Sequence, residues 1–88
     1  MNLELKAKLK EIKELQQITD NFKKQTVIID YNEKDKLKIL ALEFINNNID
    51  KIKYLKVGNI YNFKFNLNCN ENNGKYFLSA NCWYVEQI

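Results

Sequence analysis

The stretch that decides the fold is the last third of the chain: Lys56-Val57-Gly58-Asn59, then Ile60-Tyr61-Asn62-Phe63-Lys64-Phe65-Asn66-Leu67, then Gly74-Lys75-Tyr76-Phe77-Leu78-Ser79-Ala80-Asn81-Cys82-Trp83-Tyr84-Val85-Glu86. Tyr61, Phe63, Phe65 and Leu67 alternate with Asn62, Lys64 and Asn66, the period of two expected of a strand with one buried and one solvated face. The second run is aromatic at both ends, and a polar, glycine-containing segment separates the two. Together they read as a β-hairpin.

Working back from this hairpin, Lys56-Val57-Gly58-Asn59 is a turn that leads into it. Between Ile45 and Leu55, the spacing of Ile45, Ile49 and Ile52 predicts a short helix, with Asn46 as its N-cap. Leu37 to Phe44 reads as a strand with Leu40, Leu42 and Phe44 on one face, and Asn32 to Lys36 as a charged turn. Phe22 to Tyr31 is a strand centred on the β-branched run Thr26-Val27-Ile28-Ile29. Gln16 to Asn21, containing Thr19-Asp20-Asn21, has the composition of a turn.

The first segment fits two periods. Leu3, Leu5, Ala7 and Leu9 alternate with charged residues, while Leu5, Leu9, Ile12 and Leu15 also fall on a helical stripe. The strand-rich remainder favours a strand over Leu3 to Leu15, and the slip in phase between Leu9 and Ile12 suits a bulge in a long, bent strand. The resulting order is β-β-β-α-β-β. It predicts an all-β protein: a five-stranded Greek-key barrel of the OB type, with a short helix between strands 3 and 4.

The chain has 88 residues, enough for a single domain over 1–88 with one core and no separate catalytic unit. No apolar run is long enough to span a membrane, and charges interrupt Met1-Asn2-Leu3-Glu4-Leu5-Lys6 where a secretory signal would be continuous. A cytoplasmic location is the expectation. All 14 basic residues are lysines, giving a net charge of +3 with no basic or acidic block. Without arginine there is no bidentate fork for guanine edges, so anion binding falls to lysine point charges and backbone amides.

With no histidine, two glycines and two cysteines, the chain offers no zinc set, no phosphate-binding glycine loop and no acid-base pair, so neither an enzyme nor a cofactor is expected. A hairpin turn near Asn72 puts Cys69 opposite Lys75 or Tyr76, with Cys82 about 20 Å further along. A disulfide needs α-carbons within about 7 Å, so both thiols are expected to be free.

The passages Leu42-Glu43-Phe44, Asp50, Lys56-Val57-Gly58-Asn59, and Tyr76-Phe77 through Ala80 to Cys82-Trp83-Tyr84-Val85-Glu86 resemble a small uncharacterised OB-fold family of bacteria and their phages. Leu3 to Leu9 and Phe22-Lys23-Lys24 fall where the family's opening strands lie. Ala7 stands where the family tends to have glycine, and Gln25-Thr26 replaces a basic-acidic pair. The family is similar in architecture to single-stranded-DNA-binding proteins. The resemblance therefore implies a protein that binds single-stranded DNA, or RNA, with little sequence preference, through aromatic stacking and lysine-phosphate contacts.

OB-folds present strands 2 and 3 to such ligands, with the loops joining strands 1 and 2 and strands 4 and 5 as clamps. On this chain those places hold Phe22, Lys23 and Lys24 in one cluster and Lys75 and Tyr76 in another. Tyr31, Lys38, Lys64, Trp83 and Tyr84 complete the candidate site. Each has a plainer role available. Phe63, Phe65 and Phe77 are expected to fill the core, Trp83 to be half-buried, and the lysines to be ordinary surface residues unless they converge on one face. Tyr76 and Tyr84 share one phase of the last strand and Trp83 the other, so the three are not expected to face the same way. The alternative function is a protein-protein interaction or assembly module, with exposed strand edges that also favour a homo-oligomer.

Overall fold

The computed structural model describes residues 2–88. Six strands and one 3-10 helix follow one another as β1 (Asn2–Ile12), β2 (Gln16–Thr19), β3 (Phe22–Glu33), β4 (Lys36–Ile45), the helix (Asn46–Tyr54), β5 (Ile60–Asn72) and β6 (Lys75–Gln87). They form one sheet in the order β1-β5-β6-β4-β3-β2, and an additional β1–β3 pairing closes β1, β5, β6, β4 and β3 into a barrel. This is the five-stranded Greek-key barrel expected from the sequence, with the helix after the third barrel strand.

Closure depends on β1 changing partner along its length. Residues 2–8 pair with β5, from Asn2 with Asn66 to Lys8 with Ile60, while Lys8 to Ile12 pair with β3. The register slips between Leu9 and Glu11, which is the bulge that the phase change predicted. At the crossover, the Leu9 and Gly58 amides donate to Asn59 and Leu9 carbonyls at 2.9 and 2.8 Å. Gly58 has φ 100°, a conformation that L side chains adopt only with strain.

One expected turn is a strand. Gln16–Thr19 pairs with Phe22 to Lys24, so only Asp20 and Asn21 remain as the turn; the first strand, expected to run to Leu15, stops at Ile12, and residues 13–15 link it to this short hairpin arm. The helix also begins differently from the expectation. Asn46 is not its N-cap: it sits at φ 49°, and its Oδ1 accepts a 2.9 Å bond from the Lys23 amide, tying the helix entrance to the start of β3.

The core follows from alternation. Ala7 and Leu9 of β1, Val27 and Ile29 of β3, Leu42 and Phe44 of β4, Tyr61, Phe63 and Phe65 of β5, and Ala80 and Cys82 of β6 point inward, and Ile52 plugs one end from the helix. Tyr61 and Phe63 meet edge to face with centroids 6.0 Å apart. The Tyr61 hydroxyl accepts from the Lys56 amide at 2.8 Å, which satisfies its polar end at the core boundary.

Phe77 is a correction to the expected core. It is 55% exposed: it lies in the outward phase of β6 with Ser79 and Asn81, near the hairpin end where Tyr76 and Leu78 of the other phase are exposed as well, and only further along do Ala80 and Cys82 enter the core. The hairpin turn also sits one position later than expected, at Asn73 and Gly74, so Cys69 faces Leu78 and Cys82 faces Phe65. The two thiols lie four β5 positions apart, about 13 Å along the strand. No helix among the described residues is long and apolar enough to cross a membrane.

Candidate functional site

The barrel is least tightly joined between β4 and β6. These are its parallel neighbours, and a single bridge, Glu43 with Asn81, connects them. On the outer side of this seam, the β3–β4 pair and the β5–β6 pair form the walls of a groove of about 550 Å³. Phe22, Lys24, Glu43 and Ile45 line one wall, and Asn68, Cys69, Asn70, Phe77, Leu78, Ser79 and Asn81 line the other, the hairpin end bringing residues of both phases to the groove.

Strand pleating decides which predicted residues reach this groove. Successive side chains alternate faces, so Phe22 and Lys24 line it while Lys23 lines a hollow of about 560 Å³ against the helix, with Asp50 and Lys53. The Phe22-Lys23-Lys24 cluster is thus divided between two surfaces. Lys24 is engaged: its Nζ lies 3.0 Å from Glu43 Oε2 across the strand pair.

Tyr31 and Lys38 are cross-strand partners and share the phase of the core residues. Tyr31 packs against the end of the core, and Lys38 lies 3.9 Å from Glu33 at the hairpin end. The strand period therefore sends both to the barrel rim, away from Lys24. The outward phases of β3 and β4 carry Lys24 against Asp30 and Glu43, so the lysines do not converge on that face among the described residues.

At the tip of the other hairpin, Lys75 faces Asn72 and Tyr76 faces Glu71, all in the open. Tyr76 points to the opposite side of β6 from Phe77, and Phe77 is the aromatic that enters the groove. Phe77, Asn68, Asn70 and Asn81 are the residues that the sequence reading missed. Their signal was present in the phase of β6, which pairs Phe77 with Asn81 as outward residues once Ala80 and Cys82 are assigned to the core.

Further along the same outer face, Lys64, Trp83 and Tyr84 form a second cluster. The expected opposition of Trp83 and Tyr84 does not hold, because β6 carries a bulge there: Lys64 pairs with Tyr84 and Phe65 with Cys82, leaving Trp83 as the extra residue. Both rings consequently turn outward. Their centroids are 6.0 Å apart, and Lys64 Nζ lies 6.0 Å from the Trp83 ring and 5.0 Å from the Tyr84 ring. Trp83 is 41% exposed. The Tyr84 hydroxyl donates to Glu86 Oε2 at 3.1 Å, and this hydrogen bond to a carboxylate, with the charge itself, holds the phenol above its usual pKa.

Asn66 and Asn81 face each other between groove and cluster, their side-chain oxygens buried with no donor among the described residues. The arrangement offers aromatic faces, amide groups and one cation set against two rings. Cys82 lies beneath it in the core, where burial pushes its thiol up to about 11, outweighing the backbone hydrogen bonds that favour the thiolate.

Residues 4–86 match the family model described as a domain of unknown function, DUF3127. No curated protein matches the chain. Among solved structures, the SSB domain of a Synechococcus sp. protein is similar, with a TM-score of 0.75 at 11% identity over 98% of this chain and 93% of that one. The priB protein of Ralstonia solanacearum gives a TM-score of 0.77 at 11% identity over 99% and 97%. The mitochondrial single-stranded DNA binding protein Rim1 of S. cerevisiae gives 0.74 at 10% identity over 100% and 94%. At such identities the likeness establishes the fold, which is the OB-fold.

Proposed function

The chain belongs to the DUF3127 family, whose description assigns no function, and from its outer face we propose that it binds single-stranded nucleic acid, DNA in the first instance, with little sequence preference. The observation that carries this reading is the placement of aromatics along one continuous surface. Phe22 and Phe77 line opposite walls of the groove, and the face continues along β6 to Trp83 and Tyr84. Trp83 lies six positions beyond Phe77, about 20 Å of strand, which suits a few unstacked nucleotides.

Every base has a π-face, so stacking is tolerant of sequence and contributes about 1–3 kcal/mol per base. Lys64 is the cation best placed to meet a phosphate beside such a base, and Lys75 and Tyr76 stand at the hairpin tip where a strand would enter. Support also comes from the similar structures, which include an SSB domain and a mitochondrial single-stranded DNA binding protein.

A labelled oligothymidine titrated at about 50 mM salt tests the proposal. Trp83 is the sole tryptophan and serves as the reporter. Quenching of its fluorescence that saturates, and weakens as salt is added, is the expected result. Absence of binding at low salt rejects the reading.

That outcome promotes the second reading, a protein-interaction or self-assembly module. The observation favouring it is the edge of β4, where among the described residues Lys36 to Leu42 pair only with β3 and outward Leu37 and Ile39 are exposed. An edge of this kind accepts a further strand, from a partner or from a second copy.

A further inference from the structure

Lys24 is the single lysine lining the groove and Glu43 the single carboxylate, so the charge on its walls sums to zero among the described residues. The two are in direct contact at 3.0 Å, with side chains 29% and 22% exposed. A partly buried pair is screened less than a surface pair and is correspondingly harder for salt or a competing anion to separate. A phosphate entering the centre of the groove must therefore displace Glu43 from Lys24 or lie beside its negative charge.

The neighbours of the pair are suited to a different part of a nucleotide. Phe22 precedes Lys24 in the same phase of β3, Phe77 stands on the facing wall, and Asn68, Asn70 and Asn81 supply side-chain amides. Aromatic faces stack on bases and amides bond to base edges; neither needs a phosphate. We propose that Glu43 is a specificity-determining residue: by occupying Lys24 it makes the groove select a strand by its unstacked bases and turn away ligands that offer phosphate alone, such as a duplex. This rests on the single-strand reading above and specifies which part of the strand the groove takes.

The experiment compares the full chain with Glu43→Gln, Lys24→Gln and the double variant. Gln is isosteric with Glu and keeps a polar, uncharged side chain in place of Lys, and thermal unfolding verifies that each variant is folded. Two probes are used: oligothymidine across a salt series, and inorganic polyphosphate, which has no bases. Removing the carboxylate frees Lys24, so the Glu43→Gln slope of log K against log salt for oligothymidine steepens by about 0.7, one single-strand phosphate contact. Its polyphosphate affinity rises about 2- to 5-fold, the range of one partly exposed charge pair. The double variant returns both values to those of the original chain.

A Glu43→Gln variant that matches the original chain toward polyphosphate, or a double variant that keeps the steeper slope, overturns the proposal. The arms separate the two claims. Failure of the original chain to bind oligothymidine rejects the single-strand reading, whereas the polyphosphate comparison still decides whether Glu43 withholds Lys24 from phosphate.

Discussion

Tyr76 and Phe77 are adjacent aromatics with different surroundings, since the strand pleat points one to the open hairpin tip and the other into the groove. Phe77→Ala and Phe22→Ala are expected to weaken oligothymidine binding by about 1–3 kcal/mol each in fluorescence titrations, with little change in thermal stability because neither ring is part of the core. Cys82 behaves oppositely, as a packing residue with a titratable group. Its folded pKa of about 11 stands above the ordinary 9.0, so the folded state holds the proton more tightly than the unfolded chain. That stabilisation is fully present below pH 9 and is lost as pH rises from 9 to 11. It amounts to about 2–3 kcal/mol at two pKa units. Melting curves across this range should fall more steeply for the original chain than for Cys82→Ala.

At the scale of elements, the two tight hairpins use the same turn with unequal residues. Asn73 and Gly74 both have positive φ, as do Lys34 and Asp35, the signature of a type I′ turn. Asn-Gly adopts this geometry readily, whereas lysine and aspartate carry a Cβ into the left-handed region. Asp35→Gly, at φ 67°, is expected to raise stability by about 0.5–1 kcal/mol in denaturant unfolding. Gly58→Ala, at φ 100°, is expected to lower it by about 1–2 kcal/mol, because the turn that hands β1 from β5 to β3 depends on that conformation. The bulge in β6 changes which side chains share the outer face. One unpaired residue reverses the parity of the strand, and Trp83 joins Tyr84 over Lys64 instead of facing away from it.

The whole molecule is a closed barrel whose centre is filled by large side chains, Phe44 and Phe63 among those fully buried. Phe63→Ala is expected to destabilise it by about 3–5 kcal/mol, a large part of the margin of a domain this size, and calorimetry should show a Tm lowered by well over 10 °C or no cooperative transition. Closure also explains why the groove lies where it does. β4 and β6 meet at one bridge, and the strand pairs on either side diverge from it to form the two walls.

Much of this fold was legible along the chain. The alternation of Tyr61, Phe63, Phe65 and Leu67, the strand centred on Val27 to Ile29, the slip after Leu9 and the order of elements are local signals, since the strand period is written in consecutive residues. They determine an all-β Greek-key barrel and most of its core. The site was less legible. Phe22, Lys24, Lys64, Trp83 and Tyr84 could be nominated by residue type, but which of them share a surface depends on register, bulge position and closure, all set by partners far away in sequence. The engagement of Lys24 by Glu43, the exposure of Phe77 and the outward turn of both Trp83 and Tyr84 were decided only in the tertiary structure. Such contacts arise where strands about 20 residues or more apart are brought side by side, and a period of two cannot report which residue stands opposite another.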